Sequence, residues 1–369
     1  PAAGGAVLSL GAGRAPKRGA GRRPVAFLAL VAGSWLAAGF WLVETAAGER
    51  EARVAERPHQ VERTVYLMGT LARFVAEARD RAAGLQRLER MVQIVEAAEA
   101  ELSTWRDDSV LSRLNRQAIG VPRHVPEATC DLLDRLAAWH VATGGTFDPA
   151  VGLLVDAWGL RGSGPSPGGS RPEEAATGLR HIELDRAACT VARQAPVTLD
   201  AGAFGKGEAL DRVRRADPGA ESAWLVDFGG QVAVSGPGAD GPWPVDIAHP
   251  ERRAEPLATL GLTGGSIATS GPSDRDLRLD DGRRIGHILD PRSGRPVLRS
   301  ASVTVWHEQA FVADVLSTAL YVMGADAGLA WARERGLAAA YLIADDASGG
   351  VRLRATPAFE ERFGRLQKN

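Results

Sequence analysis

The chain has 369 residues, a formal net charge of −1, 45 % hydrophobic residues and 24 % charged residues, an ordinary globular balance. A near-neutral chain offers no basic surface for a phosphate backbone, so no nucleic-acid partner is expected. Its two cysteines, Cys130 and Cys189, form no CxxC, which argues against a cysteine zinc site or thioredoxin-like motif; whether they pair with each other is left open by the sequence.

Residues 1–23 carry a basic cluster of Arg14, Lys17, Arg18, Arg22 and Arg23, and residues 24–43 are apolar without a charge. That run is about long enough to cross a bilayer core. The basic flank should stay cytoplasmic, so everything after it is expected outside, as a single-pass cell-membrane protein with an extracytoplasmic (periplasmic) domain. A cleavable signal peptide is the alternative, since Thr45-Ala46-Ala47-Gly48 supplies small residues. Residues 44–63 read as a polar juxtamembrane linker, and residues 64–369 as the folded catalytic domain.

Residues 65–75 alternate loosely and read as one strand, with Gly69 at a bulge or close approach. Leu85, Leu88, Val92, Val95 and Leu102 recur at helical spacing, with Glu99 the polar member of the stripe, so 84–103 is a long helix. Residues 107–115 suggest a capped helical turn. Pro126 opens a helix bearing Leu132, Leu133, Leu136 and Trp139, and Gly144-Gly145 ends it. Residues 161–172 are almost all Gly, Ser and Pro and read as a flexible loop, either a lid or an insertion.

Strands are expected at 181–192, 196–200, 223–228, 243–248, 257–262, 267–269 and 303–306, with helices at 206–215 and 310–320. A helix at 326–335, a buried strand at 339–343 and an edge strand at 351–356 close the chain. Strand runs joined by hairpin-like turns, with clustered helices, point to an α+β fold with antiparallel sheets and packed helices.

Several residues carry chemistry. Asp314 and Thr318 are four apart on the small-residue helix, so both oxygens project from one face. Such a pair suits a hard divalent cation such as Mg²⁺, or is a buried Asp satisfied by local donors. Asp200 heads Leu199-Asp200-Ala201-Gly202-Ala203-Phe204-Gly205-Lys206-Gly207, where small residues let backbone approach a ligand, or where Asp200 caps a helix. Lys206 could meet a phosphate as a point charge or simply be solvated. By themselves Trp105 and Phe147 read as core residues and Asp148, before Pro149, as a turn former. His287 suits proton handling, or is a hydrogen-bonded structural residue.

These segments occur in a recognisable order. Met68-Gly69-Thr70 is followed by Leu102-Ser103-Thr104-Trp105-Arg106, Thr143-Gly144-Gly145-Thr146-Phe147-Asp148-Pro149 and the Asp200 segment. Leu225-Val226-Asp227-Phe228-Gly229-Gly230, Ser266-Ile267-Ala268-Thr269-Ser270-Gly271, His287-Ile288-Leu289-Asp290-Pro291 and the Asp314 helix complete it. In order and residues, 64–360 resembles the FAD:protein FMN transferase family, the ApbE flavin transferases. The resemblance implies a two-lobed fold related to the tunnelling fold. It implies cleavage of FAD, as substrate, at its pyrophosphate, transfer of FMN to a threonine hydroxyl of an exported acceptor flavoprotein of electron transport, and release of AMP.

The resemblance also implies roles. Asp314, Thr318 and the Ala203 carbonyl match the family's Mg²⁺ positions, with Ser317 where some relatives carry a second Asp. Met68 and Trp105 match flavin-lining positions, and Thr146, Phe147 and Asp148 a segment touching the nucleotide. Asp200, Lys206 and Asp211 match binding positions, Asn115 lies toward the adenosine, and Ile288 and Leu289 contact adenine or flavin. His287 and Asp314 are the implied catalytic residues. Glu208 and Pro272-Ser273 depart from the family, which usually has aromatic residues in those segments. An FAD pyrophosphatase and a non-catalytic, membrane-anchored flavin-binding protein are the other readings.

Overall fold

Residues 59–78 form a hairpin rather than the single strand expected. Strands β1 (His59–Leu67) and β2 (Thr70–Ala78) pair from Leu67↔Thr70 outward. Between them Met68 (φ 50°) and Gly69 (φ 75°) both adopt left-handed backbone, the geometry of a two-residue type I′ turn. The computed structural model describes residues 59–161, 177–219, 223–273, 276–278, 284–345 and 350–365. The expected anchor or signal segment at 24–43 lies outside the described residues, as do 162–172 of the Gly/Ser/Pro loop.

Helix α1 (Arg81–Leu102) starts where Asp80 accepts the Ala83 amide at 2.8 Å, and buries Leu88, Met91, Val92, Val95 and Leu102. It is followed by α2 (Val110–Arg116), β3 (Arg123–His124), α3 (Glu127–Ala142) and the unforeseen α4 (Gly152–Ala157). The strand expected at 181–192 is a second hairpin, β4 (Ile182–Asp185) and β5 (Thr190–Arg193). Residues 196–200 are not a strand. They are held by side chain and loop instead, with the Asn115 amide bonding both Leu199 N–H (2.7 Å) and C=O (2.8 Å).

Helix α5 (Gly205–Ala216) leads to β6 (Trp224–Asp227), β7 (Gln231–Ser235), β8 (Trp243–Ala248), β9 (Pro256–Leu262) and β10 (Gly264–Ser270). Two short hairpins follow, β11 (Leu277–Arg278) with β12 (Arg284–Ile285) and β13 (Leu289–Asp290) with β14 (Arg295–Pro296). The chain closes with β15 (Ala301–His307), α6 (Ala310–Met323), α7 (Ala325–Glu334), β16 (Ala338–Asp345), β17 (Gly350–Ala355) and α8 (Pro357–Phe363).

One antiparallel sheet in the order β1-β2-β6-β7-β10-β15-β16-β17 organises these elements, with β17 at an edge as expected. One cluster joins α1 and α5 to the sheet through Leu88, Met91, Leu210, Trp224 and Phe228. Another joins the β8–β9 hairpin and α8 through Trp243, Leu260, Ile267 and Phe359. The third surrounds α6, which is buried at every position from 310 to 322 except Thr318. A helix apolar all round belongs in a core. Residues 55–369 form one compact unit. Within it Cys130 on α3 and Cys189 in the β4–β5 turn form a disulfide, with Cα atoms 5.6 Å apart. Among the described residues no helix is long and apolar enough to cross a membrane.

Candidate active site

The site is built where α5 crosses α6. A Cβ on Gly207 would lie 2.5 Å from the Ala310 carbonyl oxygen and 2.7 Å from the Phe311 Cα, so glycine permits the approach. Each helix then caps the other. The Gly207 N–H donates to Asp314 Oδ2 at 2.9 Å, which places an α6 carboxylate on the first turn of α5. Asp211 of α5 accepts the Ala310 and Phe311 amides at 2.7 and 3.0 Å, at the start of α6. Both carboxylates meet the positive ends of helix dipoles. Burial pushes the Asp211 carboxyl up, and the two amides only partly counter it. Both Asp211 oxygens are thus bonded to backbone, and its observed partners are structural rather than those of a binding group.

Asp314 is 5 % exposed, and Thr318 one turn on is the half-buried exception on its helix. Ala203 lies in the turn that enters α5, and half-buried Lys206 lies in the helix's first turn. One carboxylate, one hydroxyl and a backbone carbonyl fit Mg²⁺, which keeps several waters and takes few protein ligands. No group of three or more His, Cys, Asp or Glu able to cage a metal occurs among the described residues. Ser317, expected as a ligand, points elsewhere chemically. It is 1 % exposed, shares a hydrogen bond with Ser270 Oγ (2.9 Å) and donates to the Asp314 carbonyl (2.9 Å).

Arg161, which the sequence did not single out, gathers a second group. It donates to Asp200 Oδ2 (2.7 Å), Asp156 Oδ1 (2.6 Å) and Thr104 Oγ1 (2.5 Å), and its guanidinium lies 5.7 Å from the centre of the Trp105 ring. Trp105 is 72 % exposed, so it is not a core residue. Phe147 is: 1 % exposed, it packs in the cluster around α6, and its ring is not presented to a ligand. Thr146 is buried with its hydroxyl on the Thr143 carbonyl. Asp148 accepts the Ala150 and Leu179 amides and lies 3.3 Å from His140 Nδ1; burial pushes its carboxyl up. Asn115 spends its amide on Leu199, as described, a structural use rather than a visible adenosine contact. Met68 offers its N–H to Glu99 Oε1 at 2.8 Å, which explains the polar residue in the α1 stripe.

The third group centres on His287, whose side chain is 23 % exposed. Its Nδ1 lies 2.7 Å from Asp276 Oδ1 and 3.2 Å from Ser273 Oγ, and its backbone N–H donates to the same Asp276 oxygen at 3.0 Å. Burial pushes the Asp276 carboxyl up, but bonds from His287 outweigh it and hold the group below its ordinary range. Ser273, Asp276 and Arg284 line an open cleft of about 630 Å³ with Glu251 and Arg253. Ile288 and Leu289 are buried behind the histidine. The Tyr321 hydroxyl of α6 is pushed up to about 12 by burial and then by the Asp276 charge, and it donates to the Arg299 carbonyl at 3.4 Å.

The ApbE family model matches residues 68–342, most of the chain. The chain belongs to the ApbE family. It is 33 % identical over 296 residues to the FAD:protein FMN transferase of Salmonella typhimurium strain LT2, covering 76 % of this chain and 83 % of the relative. Among solved structures it is similar to the Pseudomonas stutzeri flavinyl transferase ApbE in its apo form, with a TM-score of 0.72 at 28 % identity over 84 % of this chain and 98 % of that one. The flavin transferase ApbE from Vibrio cholerae gives a TM-score of 0.71 at 28 % identity, over 83 % and 100 %. As an ApbE-family member the chain is an enzyme with an α+β fold of antiparallel sheets and packed helices. Asp276 and Arg161 escaped the sequence reading because neither has a spacing signal. Asp276 stands in a run with Asp274, Asp280 and Asp281, and nothing in the sequence marks which carboxylate meets His287.

Proposed function

We propose that the chain transfers FMN from FAD to a threonine hydroxyl of an exported flavoprotein and releases AMP, with Mg²⁺ bound at Asp314. The observation that carries this reading is the arrangement of Asp314, held on the first turn of α5 with Thr318 one turn on, and of a histidine, His287, bonded to the carboxylate of Asp276. Phosphoryl transfer needs charge compensation at the phosphates and a positioned nucleophile, and the two groups supply those separately.

Asp314, Thr318 and the Ala203 carbonyl would hold the ion, which supplies Lewis-acid neutralisation of the pyrophosphate when bound. The chain's own residues do the rest. Lys206 adds a cation on the first turn of α5, whose amino end favours anions. Exposed Trp105, braced by Arg161, offers a face for a flat ring. His287 takes the proton of the acceptor hydroxyl. The threonine oxygen bonds to the phosphorus of the FMN half, the bond from that phosphorus to AMP breaks, and AMP leaves with the electron pair.

Export is supported by the Cys130–Cys189 disulfide, since such bonds persist in oxidising compartments. The uncharged run at 24–43 would supply the membrane anchor or the signal. Incubation with FAD, Mg²⁺ and a candidate acceptor domain, followed by denaturing electrophoresis, tests the reading. Flavin fluorescence on the acceptor band is expected. FMN and AMP formed with no fluorescent band would assign a pyrophosphatase instead, and no consumption of FAD would leave a flavin-binding protein.

A further inference from the structure

We propose that Asp276 is a positioning residue for His287, holding the ring proton on Nδ1 and leaving Nε2 as the base. The proposal rests on the transfer reading above. One oxygen, Oδ1, receives both the backbone N–H (3.0 Å) and the ring Nδ1 (2.7 Å) of the same residue. Two bonds from one residue to one oxygen fix the backbone and the ring together. Only two chain torsions separate them, so the plane of the imidazole is set.

The tautomer follows from the donor inventory. An ionised carboxylate accepts and cannot donate, so Nδ1 must carry the hydrogen. In a neutral imidazole the other nitrogen is then the acceptor. Two further neighbours favour the ionised Asp276 and hold it in place. Arg284 Nε lies 3.5 Å from Oδ2, and the Ser273 amide donates to Oδ2 at 3.4 Å. Ser273 Oγ, 3.2 Å from Nδ1, is a second polar neighbour on the same side of the ring. Tyr321 stays protonated at neutral pH, so it adds no competing charge.

In the transfer step the acceptor O–H proton passes to Nε2 while the oxygen bonds phosphorus and AMP departs with the broken bond's electrons. The imidazolium that results faces the Asp276 carboxylate through Nδ1–H, so the pair is worth more after proton transfer than before. Such differential stabilisation lowers the barrier.

The test is a cycle of Asp276→Asn, His287→Asn and the double variant, in full-length protein. Asparagine keeps an acceptor oxygen but loses the charge and can donate to Nδ1, favouring the wrong tautomer. Single-turnover FMN transfer at saturating FAD should fall by about 10²-fold in Asp276→Asn, with FAD affinity unchanged. In the His287→Asn background the Asp276 substitution should cost nothing further. Losses that multiply instead would show that Asp276 acts without His287 and overturn the proposal. The ¹⁵N shifts of His287 in the wild-type protein, assigned by their loss in His287→Asn, read the tautomer directly. A hydrogen on Nδ1 is expected; one on Nε2 with Nδ1 unprotonated would overturn the proposal even if Asp276→Asn failed to fold. If the wild-type protein transferred no FMN, the transfer reading would fail, while the ¹⁵N shifts would still decide whether Asp276 sets the tautomer.

Discussion

Asp314 has two duties, and substitutions can separate them. It caps α5 through the Gly207 amide and is the one carboxylate offered to a cation on α6. Asp314→Ala should abolish Mg²⁺-dependent FAD turnover, a loss of several kcal/mol at the transition state. It should also cost about 1 kcal/mol of stability from the lost cap. Asp314→Asn should recover much of the stability and little of the activity. Thr318→Val should be milder than either, because a neutral ligand compensates less charge. Turnover titrated against Mg²⁺ and thermal melting measure the two effects, and full activity of Asp314→Ala without added metal would sink the cation assignment. Trp105 is tested by affinity. With a ring 72 % exposed, Trp105→Ala should weaken FAD binding by roughly 0.5–1.5 kcal/mol while leaving the chemical step intact. Unchanged affinity would leave the ring as a partner of Arg161 alone.

Helices α1, α3 and α5 are tied by a charge network around Glu208, whose side chain is 3 % exposed. Arg135 of α3 donates to it at 2.7 Å and Arg212 at 2.9 Å, and Arg212 also reaches Glu101 of α1 at 2.6 Å. Burial pushes the Glu208 carboxyl up, but the Arg135 and Arg212 bonds and charges outweigh it, and the net shift is downward from 4.5. A lowered folded pKa means stability present above the unfolded value and lost as pH falls through the folded one. Glu208→Gln should therefore cost about 2 kcal/mol at neutral pH, because Arg135 loses its carboxylate partner and Arg212 keeps only Glu101. The gap between the two proteins should close below pH 4.5. Urea unfolding across that range checks it, and a gap constant with pH would remove Glu208 from the acid response. The site helices themselves were legible as periodic segments, and so was the pairing of Asp314 with Thr318 on one face. The mutual capping by Asp211 and Asp314 was not, because a cap between helices 99 residues apart leaves no local spacing.

Across the whole unit, the disulfide is the covalent link between α3 and the small β3-β5-β4 sheet. Its cysteines are 59 residues apart. Closing a loop of that size removes about 4 kcal/mol of unfolded-state entropy in the chain model. Cys130→Ser with Cys189→Ser should lower the melting temperature by roughly 10 °C, and reduction of the wild-type protein should do the same. A melting temperature unchanged by reductant would show that the bond does not form in solution. Enzyme made under reducing conditions should keep its site chemistry at low temperature, since neither cysteine is in contact with Asp314, His287 or Trp105 among the described bonds.

The sequence alone settled what local patterning can settle. Helical spacing placed α1, α3, α5 and α6, alternation placed most strands of the large sheet, and motif order pointed to the ApbE family. It misread 65–75 and 181–192 as single strands, because a two-residue turn at Met68-Gly69 or a short one at residues 186–189 barely interrupts alternation. It offered Ser317 as a ligand because Ser317 stands where some relatives carry a second Asp, whereas in the fold its hydroxyl bonds Ser270 across the α6–β10 contact. Tertiary structure alone decided which polar groups share a bond. Asp276 with His287, Arg161 with Asp200, and Cys130 with Cys189 are pairs whose members lie 11, 39 and 59 residues apart. Side-chain bonding depends on distance in space, and at those separations the chain's own periodicity carries no information about it.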